Sequence, residues 1–415
     1  MTVPTLHARL LPVAIMVLLL PSVAHAADPA VTASPAVAPW RFEWNARLRQ
    51  ESVDDDAFAR DADALTLRLR AGLRLRWGDG FSALVEGEGI AAGGDRYNSG
   101  ANGRVARPAI IDPEGVELNQ AFVAWKGAKA GTTVGRQRLQ LDDQRWIGNS
   151  GWRQNEQTFD AVSADWRIAP SLTLRYAWLD RVHRVNGDEA RDPLARERDL
   201  STHLLNLGWT YGVQQLVGYA YLHDDRDVAT ASTATYGARW TGTRLHAGSG
   251  LGWTLEAARQ RDYADNPLSF SHAYWLIEPT YATHGVTYRV GWEHLGGNGA
   301  HALQTPLATL HAFNGWADKF TVTPPGGLED RYLGVGGKFG HGAHAGKTSW
   351  AVAWHDYRAD RMPAGIDGHY GSEWDASLGF PVHGPVTGLV KLADYRADAF
   401  ARDTRKLWLQ LEWAQ

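Results

Sequence analysis

One stretch, Ala64 to Trp77, constrains the fold more than any other part of the chain. It reads ALTLRLRAGLRLRW, with an apolar residue at every odd-numbered position and four arginines among the even-numbered ones. Successive side chains of a strand point to opposite faces, so the pattern predicts a β-strand with one apolar and one cationic face. Such a strand fits either a half-buried soluble sandwich or a transmembrane barrel, whose apolar face contacts lipid and whose polar face contacts a watery lumen.

The N-terminus predicts export from the cytoplasm. His7 and Arg9 form a basic N-terminal segment. An apolar run from Leu10 to Leu20 follows, and then an A-x-A cleavage motif that ends at Ala26. The run is shorter than the ~20 residues that cross a bilayer, and no comparable run follows, so we expect no transmembrane helix. We expect residues 1–26 to be a signal peptide and residues 27–39 to be a flexible periplasmic lead-in.

The composition agrees with an exported barrel. The chain has no cysteine, which excludes disulfides and cysteine-ligated metals, and its net charge of -4 is too small to imply a nucleic-acid partner. It has 19 Trp, 14 Tyr and 44 Gly, with a mean hydropathy of -0.34. That is too polar for a helical membrane protein, but it fits a barrel in which only every second strand residue faces lipid.

Eighteen alternating segments can be placed from residue 41 onwards. They are residues 41–51, 64–77, 81–91, 117–126, 131–139, 157–167, 170–182, 202–210, 213–223, 232–241, 250–262, 271–282, 285–294, 330–339, 347–358, 371–380, 385–396 and 404–413. Short turns follow the even-numbered segments, and long loops follow most odd-numbered ones. We therefore predict an all-β fold, a transmembrane antiparallel β-barrel of about 18 strands over residues 40–415, with short periplasmic turns and long extracellular loops.

Large aromatic residues close the even-numbered segments, all at the predicted periplasmic side. They are Trp77, Trp125, Trp166, Trp209, Trp240, Tyr281, Phe339, Phe380 and Trp413. Barrels carry such aromatic girdles at the membrane interface, whereas a soluble sandwich has no reason to place them at every second strand. The aromatic ends favour the membrane barrel, and with it the outer membrane of a Gram-negative bacterium.

Two later stretches resemble a known family. Gly135 to Ala161 reads GRQRLQLDDQRWIGNSGWRQNEQTFDA, and Leu295 to Phe320 reads LGGNGAHALQTPLATLHAFNGWADKF. Both are similar to hallmark stretches of the alginate-export family of outer-membrane porins. The resemblance implies eighteen strands and a role in transport. The family resemblance implies, for the alginate exporter itself, a narrow electropositive pore with a periplasmic plug loop between strands sixteen and seventeen. This chain departs from that pattern, because its connection at that place is only Pro381 to Pro385.

The polar faces of the predicted strands supply candidate channel residues. We expect these residues to line the lumen: Arg47, Arg68, Arg70, Arg74, Arg76, Arg136, Arg138, Arg175, Arg289, Lys338, Glu86 and Glu88. Arginine presents a planar fork that fits carboxylates, so a basic lumen would attract anionic solutes. Alternatively, the arginines pair with lumenal carboxylates and only fill the pore; pairing Trp77 with Phe81 across a tight turn, for example, places Arg70 opposite Glu88.

Residues in two long loops are candidates for contact with a saccharide or for a constriction. They are Asp142, Arg145, Trp152, Arg153, Asn155, Asp318 and Lys319. Residues 295–329 are too long for a structureless loop, and Thr305 followed by Pro306 predicts a short helix folded into the barrel mouth. The alternatives are packing between loops and an extracellular cap.

The sequence predicts a channel and no enzyme. It contains none of the motifs HExxH, GxSxG or the Walker loop, and we expect no catalytic site, no metal site and no cofactor. The expected partners are outer-membrane lipid and an anionic saccharide or small anionic solute, with periplasmic partners if the solute is an exported polysaccharide such as alginate. A general or small-acid-selective uptake porin and an outer-membrane-embedded hydrolase are the alternatives.

Overall fold

The computed structural model of the chain describes residues 39–246, 249–340, 347–361 and 368–414. The predicted signal peptide and nearly all of the lead-in lie outside these residues. The eighteen strands are β1 (Trp40–Asp55), β2 (Ala62–Trp77), β3 (Phe81–Ala92), β4 (Gly115–Lys126), β5 (Ala130–Gln137), β6 (Thr158–Ala169), β7 (Leu172–His183), β8 (Glu197–Tyr211), β9 (Gln214–His223), β10 (Thr233–His246), β11 (Ser249–Asp262), β12 (Ser271–Thr283), β13 (Val286–Leu295), β14 (Leu328–Phe339), β15 (Thr348–Arg358), β16 (His369–His383), β17 (Val386–Ala397) and β18 (Thr404–Ala414).

The strands form one closed sheet. Each strand pairs antiparallel with its neighbours in the sequence, and β18 pairs with β1, so the 18-stranded sheet has no open edge. Closure matters in lipid because an unpaired strand edge would leave backbone polar groups without partners. The predicted fold class is confirmed.

Helical structure is sparse. The described residues contain one short helix, α1 (Pro193–Arg196), and two single 3₁₀ turns at Ala229–Ala231 and Leu310–Ala312. None of the helices in this part of the chain is long and apolar enough to cross a membrane.

The connections alternate in length around the barrel, as predicted. At one end β2 and β3 are joined by residues 78–80, and β16 and β17 by residues 384–385. At the other end long loops cover residues 93–114, 138–157 and 296–327. Some strands run further towards the long-loop end than predicted. Asp55 still pairs with Thr404, and Glu197 with His183, because pairing between neighbours continues beyond the apolar alternation that marked the strands in the sequence.

The register of the first hairpin is the predicted one. Trp77 pairs with Phe81, Arg70 with Glu88, and Gly72 with Glu86. The outer face of β2 is apolar and exposed, with Leu69 at 50% exposure, whereas Arg68 on the inner face is only 1% exposed. The period of two therefore separates a lipid face from the barrel interior.

The aromatic ends of the even-numbered strands lie beside the short turns, mostly on the exposed outer face. Exposed large aromatics at these ends are Trp77, Trp166, Trp209, Trp240, Tyr281, Phe339 and Trp413. This arrangement has the form of an interfacial girdle.

Two long loops fold into the barrel rather than over it. We call residues 138–157 inner loop 1 and residues 296–327 inner loop 2. Their side chains Trp146 and Ile147 from the first, and Leu303, Leu307 and Phe320 from the second, are buried in one apolar cluster with inward-facing wall residues. The main apolar core is thus inside the barrel, where side chains of these loops pack against a larger number of wall residues.

Candidate functional site

The two inner loops are hydrogen-bonded to each other through their backbones. The Gly148 amide donates to the Leu307 carbonyl at 2.9 Å, and the Thr309 amide donates to the Gln144 carbonyl at 3.1 Å. The prediction that a helix starts at Thr305 is therefore wrong. Only the 3₁₀ turn Leu310–Ala312 forms, because the Thr309 amide and the Leu307 carbonyl, which a helix would use internally, bond to inner loop 1.

Inner loop 1 is fastened to the wall by arginines of β1 and β2. The Arg47 guanidinium donates to the carbonyl of Trp152 at 3.2 Å, and that of Arg49 donates to the same carbonyl at 2.6 Å. Arg70 donates to the carbonyl of Gln154 at 3.2 Å. Three guanidinium groups thus satisfy backbone carbonyls of a loop that would otherwise lose its hydrogen bonds to water.

Most of the predicted channel arginines on these walls are also neutralised by carboxylates. Arg47 and Arg68 reach Glu412 at 3.1 and 3.3 Å. Arg70 pairs with Glu88 and, at 3.3 Å, with Glu156. The expectation that Arg70 faces open water is wrong: its side chain is buried, because inner loop 1 covers this part of the wall.

The remaining predicted channel residues fall into a paired group and an unpaired group. Three arginines form ion pairs at 2.9–3.4 Å: Arg74 with Glu43, Arg136 with Asp160, and Arg289 with Glu278. Arg138 pairs with Glu86 at 2.8 Å and also contacts Glu156. By contrast, three side chains are exposed and form no ion pair with the described residues. These three are Arg76, Arg175 and Lys338.

The predicted loop residues hold the inner loops in place. Asp142 accepts from Asn206 of β8 at 2.9 Å, and Arg145 pairs with Glu293 of β13 at 2.7 Å. Asn155 donates to Glu117 of β4 at 3.0 Å, and Lys319 pairs with Asp55 of β1 at 2.7 Å. Arg153 and Asp318 are brought together, at 3.0 Å. All of these side chains bond to protein groups, so the structure favours the packing interpretation for them.

An aromatic cluster surrounds a buried lysine where the two loops meet the wall. The rings of Trp152 and His311 stack with centroids 4.6 Å apart, and Trp408 of β18 packs edge-on against Trp152. The Lys391 ammonium lies 3.7 Å from the centroid of the Trp316 ring and 4.1 Å from that of Trp152. Cation–π contact of this kind stabilises a desolvated ammonium.

His311 links Lys391 to Asp318, a carboxylate of inner loop 2. Lys391 Nζ lies 2.7 Å from His311 Nε2, and His311 Nδ1 lies 2.7 Å from Asp318 Oδ1. Burial lowers the pKa of His311 to about 3, so the imidazole is neutral at physiological pH. It therefore accepts from Lys391 and donates to Asp318, and the three groups form one chain of hydrogen bonds.

A basic cavity of about 400 Å³ lies between inner loop 1 and the wall formed by β5 to β8. It is lined by Leu139 and Leu141 of the loop and by four cationic side chains against the single carboxylate of Asp165. The four cations are Lys126, Lys129, Arg167 and Arg175. All four are exposed and form no ion pair with the described residues, so this cavity offers uncompensated positive charge to a solute.

A second cavity, of about 520 Å³, lies between inner loop 2 and strands β10 to β16. Carboxylates outnumber basic side chains in its lining, and each of the three basic side chains, Arg239, Arg289 and His355, pairs with one of them. The carboxylates are Asp143, Glu278, Glu293, Asp330 and Asp375. The interior therefore has a basic side and an acidic side, separated by the inner loops.

Sequence reasoning identified Arg175 but missed three of the cations that accompany it. Lys126 and Arg167 lie near strand ends and Lys129 lies in the turn between β4 and β5, where a charged residue normally faces water and is unremarkable. A signal was present, because Arg167 follows the aromatic end Trp166 on the inward face of β6. The aromatic cluster was also missed, apart from Trp152, since its members come from three separate segments: the two inner loops and β18.

These features define the class of protein. A closed 18-stranded barrel with an apolar outer face, aromatic girdle and charged interior is an outer-membrane channel. The chain belongs to the Alginate export family, which matches residues 39–274. It lies in the outer membrane of a Gram-negative bacterium, and the family and the barrel indicate a channel rather than an enzyme. No curated protein sequence matches the chain.

Solved structures share the fold at low sequence identity. OccAB3 of Acinetobacter baumannii is 13% identical with a TM-score of 0.73, over 91% of this chain and 100% of that one. OccK2 (OpdF) of Pseudomonas aeruginosa, solved in complex with glucuronate, is 14% identical with a TM-score of 0.68, over 90% and 96%. OpdK of Pseudomonas aeruginosa, solved with vanillate, is 15% identical with a TM-score of 0.69, over 90% and 98%.

Proposed function

We propose that this channel passes small carboxylated solutes, of the size of a single uronic acid or aromatic acid. The observation that carries the proposal is the basic cavity, in which four cationic side chains face one carboxylate. Its volume of about 400 Å³ lies within the range of roughly 300–1,000 Å³ that is usual for small-ligand sites. A guanidinium fork such as that of Arg175 binds a carboxylate through two parallel hydrogen bonds.

The acidic cavity supports a solute that also carries hydroxyl groups. Ionised carboxylates only accept hydrogen bonds, and sugar hydroxyls can donate them. Glu278 and Asp330, which line this cavity, are acceptors of that kind. A uronic acid could therefore turn its carboxylate to the basic side and its hydroxyls to the acidic side as it passes the inner loops.

The inner loops favour a small solute over a polymer. Gly148 and Thr309 join the loops by backbone hydrogen bonds, and Arg47 fastens inner loop 1 to the wall. A polysaccharide chain would have to displace these contacts along its whole length, whereas a single sugar acid needs only the cavities beside them. We propose that inner loop 2, within residues 295–329, narrows the lumen together with inner loop 1.

Solved relatives of the same fold add support. The OccK2 structure contains glucuronate and the OpdK structure contains vanillate, and both ligands are small carboxylic acids. The fold is thus compatible with solutes of the proposed class.

Export of an acidic polysaccharide such as alginate, with periplasmic partners, is the second candidate because the chain belongs to the Alginate export family. The short β16–β17 connection argues against it, since residues 384–385 alone cannot form a periplasmic plug. Nothing in the described part of the chain specifically favours the hydrolase that the sequence left open.

Block of single-channel current by glucuronate tests the proposal. We expect the Arg175→Gln channel to bind glucuronate at least fivefold more weakly than the wild type, because a cation that faces the cavity is lost. Arg181→Gln is the matched control on the same strand: Arg181 is held by Glu197 at 2.7 Å and Asp199 at 2.6 Å, away from the cavity. Equal glucuronate affinity in all three channels contradicts the proposal, and block by long oligouronates but not by glucuronate favours polymer export.

A further inference from the structure

Three potential metal ligands converge at the root of inner loop 2, apart from both cavities. His294 is the next-to-last residue of β13, Glu329 is the second residue of β14, and Asp360 follows β15. One imidazole nitrogen and one oxygen from each carboxylate all lie within 4.8 Å of one another. The three residues come from successive segments of the barrel wall, so the fold itself brings them together at the long-loop rim.

His294 is the member that points to a ligand. Its side chain is only 9% exposed, and its Nδ1 atom is buried without a hydrogen-bond partner among the described residues. The ring is held flat against Trp275, with centroids 5.2 Å apart and planes 6° apart. A buried imidazole nitrogen with no partner is costly, because it has lost its hydrogen bonds to water.

Two other rim histidines differ from His294. His223, at the end of β9, also has a buried ring nitrogen without a partner, Nε2, but among the described residues no group of three potential ligands forms around it. His183, at the end of β7, places its two ring nitrogens 2.9 Å from Asp160 and 3.3 Å from Glu197. Its carboxylates are close enough to bond directly. The carboxylates around His294 form no hydrogen bond with it, which leaves a gap that an ion can occupy.

Among the described residues, each of the two carboxylates has one oxygen that forms no hydrogen bond and can bind such an ion. Gly297 donates its amide to Asp360 Oδ2 at 3.1 Å, and Arg331 pairs with Glu329 Oε2 at 2.7 Å. Each contact uses one oxygen and orients the carboxylate, as outer partners of metal ligands commonly do. One negative charge remains on the set after Arg331 is counted, which favours a cation.

We propose that His294, Glu329 and Asp360 form a binding site for a divalent transition-metal ion, with Zn²⁺ as the representative. Zn²⁺ binds imidazole nitrogen and carboxylate oxygen at about 2.0–2.2 Å, so its ligand atoms lie up to about 4.2 Å apart. Small rotations of the half-buried Glu329 and Asp360 side chains close the present separations to that range. Water completes the coordination shell.

The ion would clamp the root of inner loop 2. Gly297 and Gly327, at the two ends of this loop, pass so close that a Cβ on Gly297 would lie 2.2 Å from the Gly327 nitrogen. Asp360 contacts the Gly297 amide at this crossing, and the Arg361 amide donates to Gly326 at 2.8 Å. A bound ion therefore ties three wall segments to the point where the loop turns into the barrel.

Zn²⁺ titration of the refolded barrel in detergent tests the site. We expect one equivalent of Zn²⁺ to bind with an affinity in the micromolar range and to raise the unfolding temperature. His294→Ala should weaken binding at least tenfold and abolish the temperature shift. Glu329→Gln, which keeps the side-chain shape, should weaken binding in the same direction. Ca²⁺, which prefers oxygen ligands, should compete poorly.

Two histidine controls locate the ion. His183→Ala removes the fully partnered rim histidine, and His301→Ala removes a histidine of inner loop 2 that already bonds to His272 at 2.9 Å. Both variants should bind Zn²⁺ like the wild type. The proposal is overturned if Zn²⁺ does not bind, if it binds equally well to folded His294→Ala, or if either control variant loses the site instead.

Discussion

Arg153 of inner loop 1 donates to Asp318 of inner loop 2 across 3.0 Å, and this contact joins the two loops inside the barrel. Asp318 also accepts from His311 at 2.7 Å and from Lys406 of β18 at 2.8 Å. Burial alone would raise the pKa of the Asp318 carboxyl, but the neighbouring basic groups outweigh it and hold the pKa well below its usual range. One carboxylate thus fastens both loops to each other and to the wall.

Removing that charge should loosen the inner loops. Asp318→Asn leaves Arg153 and Lys406 without their shared carboxylate, and breaking a buried ion pair typically costs about 3–5 kcal/mol. We expect the barrel to assemble, because its strand pairing is untouched, and single-channel conductance to rise at least twofold. Asp265→Asn, at an exposed position in the loop after β11, is the control and should behave like the wild type. An unchanged current in folded Asp318→Asn would show that the loops do not limit flow.

Lowering the pH should loosen the contact between the two inner loops, because His311 becomes protonated when they separate. The packed loop holds this imidazole neutral, since burial lowers its pKa to about 3, whereas an exposed histidine titrates near ~6.5. Between these pH values the opened loop binds a proton that the packed loop does not, so acidification favours opening. The carboxylate of Asp318, whose pKa is lowered, loses its stabilising effect only below about pH 4.

Conductance at about pH 7.5 and about pH 4.5 measures this effect. The wild type should show larger or noisier currents at the lower pH. His311→Asn, which cannot titrate in this range, should show a smaller change. If the two channels respond to pH identically, another group controls the opening.

Substitutions on the two faces of β2 test which face contacts lipid and which faces the barrel interior. Leu69 is half exposed on the outer face, where an arginine costs about 2–4 kcal/mol at the bilayer midplane. Leu69→Arg should therefore reduce the yield of heat-resistant folded barrel. Arg76→Leu should have little effect, because Arg76 is exposed and has no carboxylate partner among the described residues.

Arg70→Leu is the informative third variant. The sequence alone places Arg70 on the wall of a watery lumen, but the structure pairs it with Glu88 and Glu156 in the interior. Buried Glu88 would lose its ion-pair partner and Glu156 would keep only Arg138, so we expect a loss of folded barrel comparable to that of Leu69→Arg. Wild-type yield for Arg70→Leu would mean that inner loop 1 does not cover this wall.

The barrel could be predicted from the sequence because lipid and water impose a period of two on every strand. That period places Arg70 and Arg76 on the same face of β2, and it even gives the pairing of Arg70 with Glu88. It cannot say that Arg70 is buried and Arg76 exposed, since the difference arises from inner loop 1, more than 60 residues further along the chain.

The contacts of the two inner loops could not be predicted from local sequence patterns for the same reason. Arg145 contacts Asn314 at 3.0 Å although 169 positions separate them, and the backbone bonds of Thr309 replace the helix that its local sequence favours. Such contacts depend on where the closed barrel holds each loop end. Arg145 and the other predicted loop residues could be named from the sequence, but their partners could not.

The reversal potential of the wild-type channel in a tenfold KCl gradient tests the central claim most directly. A pore whose uncompensated lumenal cations, such as Arg175 and Arg167, face the solute should pass chloride in preference to potassium and should also be blocked by glucuronate. The predicted result is a reversal potential whose sign shows that chloride is more permeant than potassium, together with block by glucuronate. A clearly cation-selective channel that ignores glucuronate would contradict the proposed passage of small carboxylated solutes.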